Sequence, residues 1–499
     1  MPAAVDDAAP NLTDRFYAHA DAAPDRAALS EATGDLTYAD LRAAANALAL
    51  RVLDAGIRPG DVVHGVFQAQ AFRLKLACAI ALARIGAIYA PGAAGADLAA
   101  LCRQTGARCV IGDTLHDVPP DVVALRLDLD ALLRAPPAAA PPRATDPGLA
   151  WLLARSSGTT GAPKAFLISH ANEAARHAAQ QGEIAIRRDE VFLGFVDPQH
   201  YIGLSYVLRC LRSGATAIAA DAESGMAGNL RRIAERRVNY VSTAPAHLYA
   251  LAAANQVAGL PLPALRVLRV GSAAVSTPRL QHAFAHLTPN IYVGYGTNEA
   301  GIIAVATPGD LRRDPTCCGR PLPGVAVRLL PPDGAGAAAE GGEIAVRSAG
   351  VVERYLRADG PAGRHFADGW LRPGDLARID ASGCIILQGR ADDAMNYGGV
   401  LISPQEIEAV LLEHPAVADA AAFSVASELH QDLPHAAVVA RQPVASAELL
   451  AFCRRRLGSK APVAIVLLAE LPRNAMGKVL RRVLRDRQAR PGAAPRDSA

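Results

Sequence analysis

The chain has 499 residues, 51% of them hydrophobic, with 51 Lys and Arg against 48 Asp and Glu and a formal net charge of +3. That length supports two or more domains, one of them large, with sizeable cores. The near balance of charge, and the lack of a basic block interleaved with aromatics, argue against nucleic-acid binding.

Near the start, Asp6, Asp7 and Asp14 stand where an export signal would have a basic end and an apolar run, so none is expected. The pattern then predicts a helix over 41–55, a strand over 61–67, a helix over 72–85 and a strand over 87–90. The most apolar stretch, 74–91, is interrupted by Lys75 and Arg84, which favours a buried helix and strand over a membrane span. The alternation returns with helices over 173–181 and 229–236 and strands over 191–196, 239–242 and 265–270. Such alternation implies two parallel α/β units with helices covering the sheets. From about 317, turns rich in Gly and Pro separate short strands over 325–330, 342–347 and 384–388, which read as a β-rich subdomain. After Asp393 a compact α+β pattern follows, with helices over 404–413 and 446–457. The tail 490–499 is rich in Pro and Ala and reads as disordered. The eight cysteines show no paired metal-ligand spacing, Cys317 and Cys318 being adjacent, so a reducing cytoplasm is the simplest reading.

Chemistry concentrates first in Arg155-Ser156-Ser157-Gly158-Thr159-Thr160-Gly161-Ala162-Pro163-Lys164. Hydroxyls and backbone N–H groups converge on phosphate oxygens where glycine lets the backbone approach, and a lysine adds a mobile cation. The Gly-Lys-Ser/Thr ending of a Walker loop is absent, since Lys164 follows Pro163 and precedes Ala165. Further segments follow in order: Asp197-Pro198-Gln199-His200-Tyr201-Ile202-Gly203, Gly271-Ser272-Ala273-Ala274, Tyr295-Gly296-Thr297-Asn298-Glu299, Pro373-Gly374-Asp375-Leu376, and a last basic motif from Pro472 to Arg481 containing Lys478.

Taken together, from Leu36-Thr37-Tyr38 to Lys478, these segments resemble the signatures of the adenylate-forming superfamily, which includes acyl-CoA synthetases, luciferases and peptide-synthetase adenylation domains. The chain is most similar to an acyl- or aryl-CoA ligase. The resemblance implies that Ser156, Ser157, Gly158, Thr159, Thr160, Gly161 and Lys164 cradle the triphosphate of ATP. It gives Tyr295, with Gly296 and Thr297, the adenine, and gives Glu299 the Mg²⁺, a hard cation suited to a carboxylate. Asn298 stands where the family has threonine, so an amide would supply that hydrogen bond to phosphate. Asp375 would accept from both ribose hydroxyls, with Arg390 adding a contact. Lys478 would meet the substrate carboxylate and the α-phosphate.

Gly271, Ser272 and Ala273 would wall the adenine and acyl pockets. His200, Tyr201, Gly203, Gly294 and Gly301 would line the acyl pocket, whose walls are drawn from 200–205, 242–246, 271–275 and 294–303. Amino-acid-activating members place an aspartate where this chain has Tyr201, so a simple carboxylic acid is expected. Pro373, Asn396 and Leu401 also depart from the family pattern.

The implied fold is α/β, a large N-terminal domain (1–390) of two parallel α/β subdomains plus a β-rich subdomain. A small mobile α+β C-terminal domain (391–499) would turn about Asp392 and bring Gly398 and Gly399 to a thiol tunnel. The implied reaction uses ATP and Mg²⁺ to convert an acid to acyl-AMP, then transfers the acyl group to CoA. Three alternatives stand beside it: a ligase loading a separate acyl-carrier protein, a luciferase-like oxygenase and a non-catalytic nucleotide-binding homologue. Aryl, short-chain and medium-chain acids, and the oligomeric state, stay open.

Overall fold

The computed structural model describes residues 10–31, 34–68, 71–93, 97–134, 139–155, 164–182, 184–331, 341–356, 365–397, 400–427, 431–473 and 478–488. The expected tail therefore lies outside the described residues.

Apolar strands alternating with apolar-faced helices have one stable arrangement, parallel sheets covered by helices, and two such sheets form. In the first, Val62–Phe67 lies between Ile88–Ala93 and Cys109–Gly112 in parallel, with Ala150–Arg155 beyond and Ala165–Ser169 antiparallel at the edge. In the second, neighbours run parallel from Ile291–Thr297 through Val267–Val270, Tyr240–Thr243, Val191–Gly194 and Thr216–Ala219 to Ala27–Glu31.

Phe72–Ile85 joins the sheets, and nearly every residue of it is buried. One apolar core runs from Leu41 and Leu48 through Leu76 and Ile80 to Leu204 and Leu211. This explains why 74–91 is so apolar without crossing a membrane. Among the described residues no helix is long and apolar enough to do so. The β-rich expectation is met by an antiparallel sheet built on Ala326–Leu330, Gly342–Arg347, Asp375–Ile379 and Ile385–Arg390. A further sheet takes all its strands from residues 395–467 and is backed by Pro404–Leu412 and Ser446–Leu457.

Element starts differ from the sequence expectation where caps decide them. The helix expected from 41 begins at Tyr38. There the Thr37 Oγ1 accepts from Asp40 N at 3.0 Å and Asp40 Oδ2 accepts from Thr37 N at 2.9 Å, a reciprocal capping box. The helix Tyr201–Arg212 was not expected; eleven of its twelve residues are buried, Arg209 and Arg212 among them. Cys317 pairs in a disulfide with Cys384, 67 residues on, which tandem spacing could not reveal; the other six thiols are free.

Asn11 shows how the ends of this core are sealed. Fully buried, its Nδ2 donates to the carbonyls of Ala83 (2.9 Å) and Ala144 (3.2 Å), and its Oδ1 accepts from Thr13 N (3.0 Å) and Oγ1 (2.7 Å). Asn11→Ala leaves these groups unpaired and is expected to cost about 3 kcal/mol, measured as a shift in the denaturant midpoint.

Candidate active site

The site assembles where the second parallel sheet, the antiparallel sheet and the C-terminal segment meet. Tyr295 comes from Ile291–Thr297, whose next residues must turn sharply. A Cβ on Gly296 would lie 2.3 Å from the Gly301 carbonyl, so only glycine fits. The buried Tyr295 hydroxyl donates to Asp375 Oδ2 at 2.7 Å. Asp375 opens the strand Asp375–Ile379 and is paired in register with Arg390. The Arg390 Nη1 donates to Asp375 Oδ1 at 3.1 Å and its Nη2 to the Pro373 carbonyl at 3.1 Å. Arg390 also lies 3.9 Å from Asp392.

Burial raises the Asp375 carboxyl above its ordinary value, with Arg390, Tyr295 and Lys478 pulling the other way and Glu299 adding to the rise. Burial, reinforced by the Asp375 charge, likewise pushes the Tyr295 phenol well up. Lys478 arrives from the far end of the chain. Burial lowers its ammonium, Arg390 and Arg481 act in the same sense, and Asp393 and Asp375 oppose them. Its neighbours are held in turn: Arg481 reaches Glu408 Oε1 at 2.6 Å and Asp393 at 3.8 Å. Lys478, Asp375, Arg390 and Tyr295 thus form one electrostatic cluster.

A second cluster faces the ends of the 156–163 segment. Glu299 is buried, its Oε1 accepting from the Tyr355 hydroxyl at 2.9 Å. Its backbone carbonyl accepts from Arg176 Nη2 at 2.7 Å, and Arg176 Nε donates to Gly350 O at 2.7 Å. Asn298 Nδ2 donates to the Arg155 carbonyl at 3.2 Å, at the root of the segment. At its other end, the Lys164 ammonium lies 2.8 Å from His365 Nε2 and 5.1 Å from the centre of the Tyr355 ring. Burial and then the Glu299 charge push the Tyr355 phenol up. Thr297 Oγ1 accepts from Ala300 N at 3.1 Å and closes the turn.

Ser156, Ser157, Gly158, Thr159, Thr160 and Gly161, and likewise Gly398 and Gly399, lie outside the described residues. Among the described residues no group of three His, Cys, Asp or Glu is placed to hold a metal. The buried Glu299 carboxylate has the chemistry for Mg²⁺, which is commonly held by one or two carboxylates plus substrate phosphates.

His200 stands at the N-cap position of the helix Tyr201–Arg212, without a side-chain capping bond. Burial lowers its imidazole; Asp197 opposes this and Lys75 adds to it. Lys75 is itself buried and donates to both oxygens of Asp197 at 2.9 Å, fixing the loop that carries His200. Of the other expected pocket residues, Tyr201 donates to Glu173 Oε2 at 3.0 Å. Gly203 lets the helix approach the backbone of Val196 and Asp197, where a Cβ would lie 2.4 and 2.5 Å from their carbonyls. Gly301, at φ +75°, packs on Arg176. Gly271 and Gly294 pack on Arg269. In the loop beyond, Ser272 precedes Ala273 and adopts φ +79°, a strained conformation for a residue with a side chain.

Tyr355, His365, Arg176 and Lys75 were not singled out from the sequence. Each acts through a partner more than 50 residues away, and only the lysine-interrupted apolar run around Lys75 carried a signal.

A family model described as AMP-binding enzyme matches residues 16–356, and a model described as AMP-binding enzyme C-terminal domain matches residues 406–478. The 2-succinylbenzoate–CoA ligase of Bacillus licheniformis is 31% identical over 335 residues, covering 66% of this chain and 68% of that protein. A 4-coumarate–CoA ligase-like protein of Oryza sativa is 27% identical over 506 residues, covering 94% and 91%. A probable non-canonical nonribosomal peptide synthetase of Salinispora arenicola is 30% identical across 94% of this chain, which spans 6% of that protein. The solved structure of ATP-bound MatB from Rhodopseudomonas palustris superposes with a TM-score of 0.84 at 24% identity, covering 96% and 98% of the two chains, a likeness of fold.

Because Tyr295 and Asp375 interact directly, their contributions are not additive. Tyr295→Phe is expected to cost about 2 kcal/mol in the wild type, as loss of a hydrogen bond to a charged group, and much less in an Asp375→Asn background. A double-mutant cycle by denaturant unfolding measures the difference.

Proposed function

The chain belongs to the AMP-binding enzyme family, and on that premise we propose that it activates a carboxylic acid with ATP and passes the acyl group to CoA. The observation that carries this reading is that Lys478, 103 positions after Asp375, lies within the electrostatic reach of Asp375 and Arg390, the carboxylate being held by Arg390 and Tyr295.

In the first step the acid's carboxylate oxygen attacks the α-phosphorus in line, and the bond from that phosphorus to the bridging oxygen breaks, giving acyl-AMP and pyrophosphate. Little covalent chemistry is asked of the protein, so positioning and charge do the work. Asp375 takes the ribose hydroxyls, Tyr295 presents its ring to adenine, and Lys164 and the 156–163 segment hold the β- and γ-phosphates. Lys478 places an ammonium where negative charge develops, usually the largest catalytic contribution. Glu299 would hold Mg²⁺, which when bound neutralises phosphate charge. His200 stands beside the acid.

In the second step the thiol sulfur of CoA attacks the acyl carbon, its proton leaves, and AMP departs. We assign residues 391–499 as the unit that turns about Asp392 between the steps, withdrawing Lys478 and presenting Gly398 and Gly399 to the thiol. Side-chain bridges from Ser403 to the Gln388 carbonyl (2.6 Å) and from Arg279 to the Ala418 carbonyl (2.5 Å) are of the kind such a hinge motion would exchange. A carrier-bound thiol in place of CoA is the second reading, favoured by the likeness to a peptide-synthetase segment.

Pyrophosphate release with a panel of aryl and aliphatic acids, with and without CoA, tests the proposal. The account expects release with a subset of acids, thioester only with CoA, and a fall of about 100- to 1000-fold in Lys478→Ala. Adenylate without CoA consumption favours the carrier reading, and ATP binding without release for any acid rejects catalysis. Because the ammonium form of Lys478 is the active one and burial lowers it, adenylation should fall as pH rises through a value below the ordinary 10.5. An alkaline limb at or above 10.5 in the pH profile contradicts that role.

A further inference from the structure

Arg269 sits on the central parallel strand Val267–Val270, flanked in register by Ser242 and Tyr292, and is 3% exposed. It is the second-last residue of that strand, at the carboxyl end where open α/β sheets bind their ligands. Its guanidinium lies 5.2 Å from the centre of the Tyr206 ring, and Arg209 lies 4.6 Å from the same ring. Arg209 has a partner in Gln180 Oε1. Arg269 has none: its Nε is buried without a hydrogen bond, and its Nη atoms form no hydrogen bond or ion pair among the described residues.

Two glycines make room for it. A Cβ at Gly271 would lie 2.3 Å from Nη2, and one at Gly294 would lie 3.0 Å from Nε and 3.1 Å from Nη2. Both glycines belong to the segments read as walls of the acyl pocket, so the space a side chain would take there is filled by a cation. Burial alone would raise the Tyr206 phenol, yet Arg269 and Arg209 hold it below its ordinary value, a sign of how positive this floor is. A guanidinium stays charged when buried, and an unpaired buried charge is strongly disfavoured unless a partner arrives.

We propose that Arg269 ends the acyl pocket and selects an acid that carries a second carboxylate at the end remote from the one activated. This rests on the acid-activating reading above and names its substrate class. The five N–H donors of the guanidinium match a planar carboxylate, which accepts only. An acid ending in a methyl group leaves that charge unpaired, and sites built around a buried polar group discriminate strongly against ligands that lack its partner.

Pyrophosphate release is measured for matched pairs of mono- and dicarboxylic acids of equal length, in aliphatic and benzoic series, with wild type, Arg269→Met and Arg269→Lys. In wild type the best diacid should exceed its monoacid partner in kcat/KM by about 100-fold or more. Arg269→Met should bring that ratio towards one, chiefly through KM of the diacid, and Arg269→Lys should keep part of it. ATP affinity by calorimetry and the thermal melt check that the variants fold; should Arg269→Met fail to fold, the wild-type ranking and Arg269→Lys decide. Release with monoacids as good as or better than diacids, or an unchanged ratio in Arg269→Met, overturns this inference alone. Release with no acid at all rejects the acid-activating reading and this one with it.

Discussion

The buried carboxylate of Asp375 is the constraint around which the active-site region is organised. It sits below a tenth exposed, between the Tyr295 hydroxyl and the Arg390 guanidinium, within the field of Lys478. Those four residues come from the second parallel sheet, the antiparallel sheet and the C-terminal segment. Burying a carboxylate is tolerable only when it is paired and hydrogen-bonded, so the arrangement holds three parts of the chain in register at one point. Its electrostatic balance is also sensitive to position, because withdrawing Lys478 removes one of the charges that offset burial. Charge compensation shared between separate segments of the chain is what the proposed turn about Asp392 would use to alternate between two steps of a reaction.

The same logic governs the other side of the site. Glu299 is placed by its backbone, through Arg176, as much as by its side chain, through Tyr355. Lys164 and Asn298 mark the two ends of the 156–163 segment. On the proposed reading, phosphate oxygens entering there would meet the Lys164 ammonium and the Asn298 amide, with Glu299 placed to hold a cation. Such preorganisation is what lets a site stabilise charge without reorganising at the moment of reaction.

Much of the fold was legible in the sequence because its elements are repetitive. Parallel strands buried on both faces and long apolar helices impose patterns that survive without tertiary information, as over 61–67 and 72–85. Helix starts were less legible, since the Thr37–Asp40 cap moves a boundary by three residues. The helix Tyr201–Arg212 was not legible, and it buries polar and charged residues, Ser205, Arg209 and Arg212, together with its apolar ones. Motif residues such as Tyr295, Asp375, Glu299, Lys164 and Lys478 could be proposed by likeness. The partners of Glu299 and Lys164, namely Tyr355, Arg176 and His365, could not, because what identifies them is a contact across the fold. Arg269 is the clearest instance: in sequence it is one of two arginines in the apolar strand 265–270, and only its burial beside two glycines, without a partner among the described residues, sets it apart.

The central claim, that an acid is activated as its adenylate, is tested most directly by following oxygen. An acid that supports turnover, labelled with ¹⁸O in its carboxyl group, is incubated with the enzyme, ATP, Mg²⁺ and CoA, and the products are analysed by mass spectrometry. Attack on the α-phosphorus predicts one labelled oxygen in AMP and none in pyrophosphate. Label in inorganic phosphate or pyrophosphate, or AMP formed without label, would contradict the account.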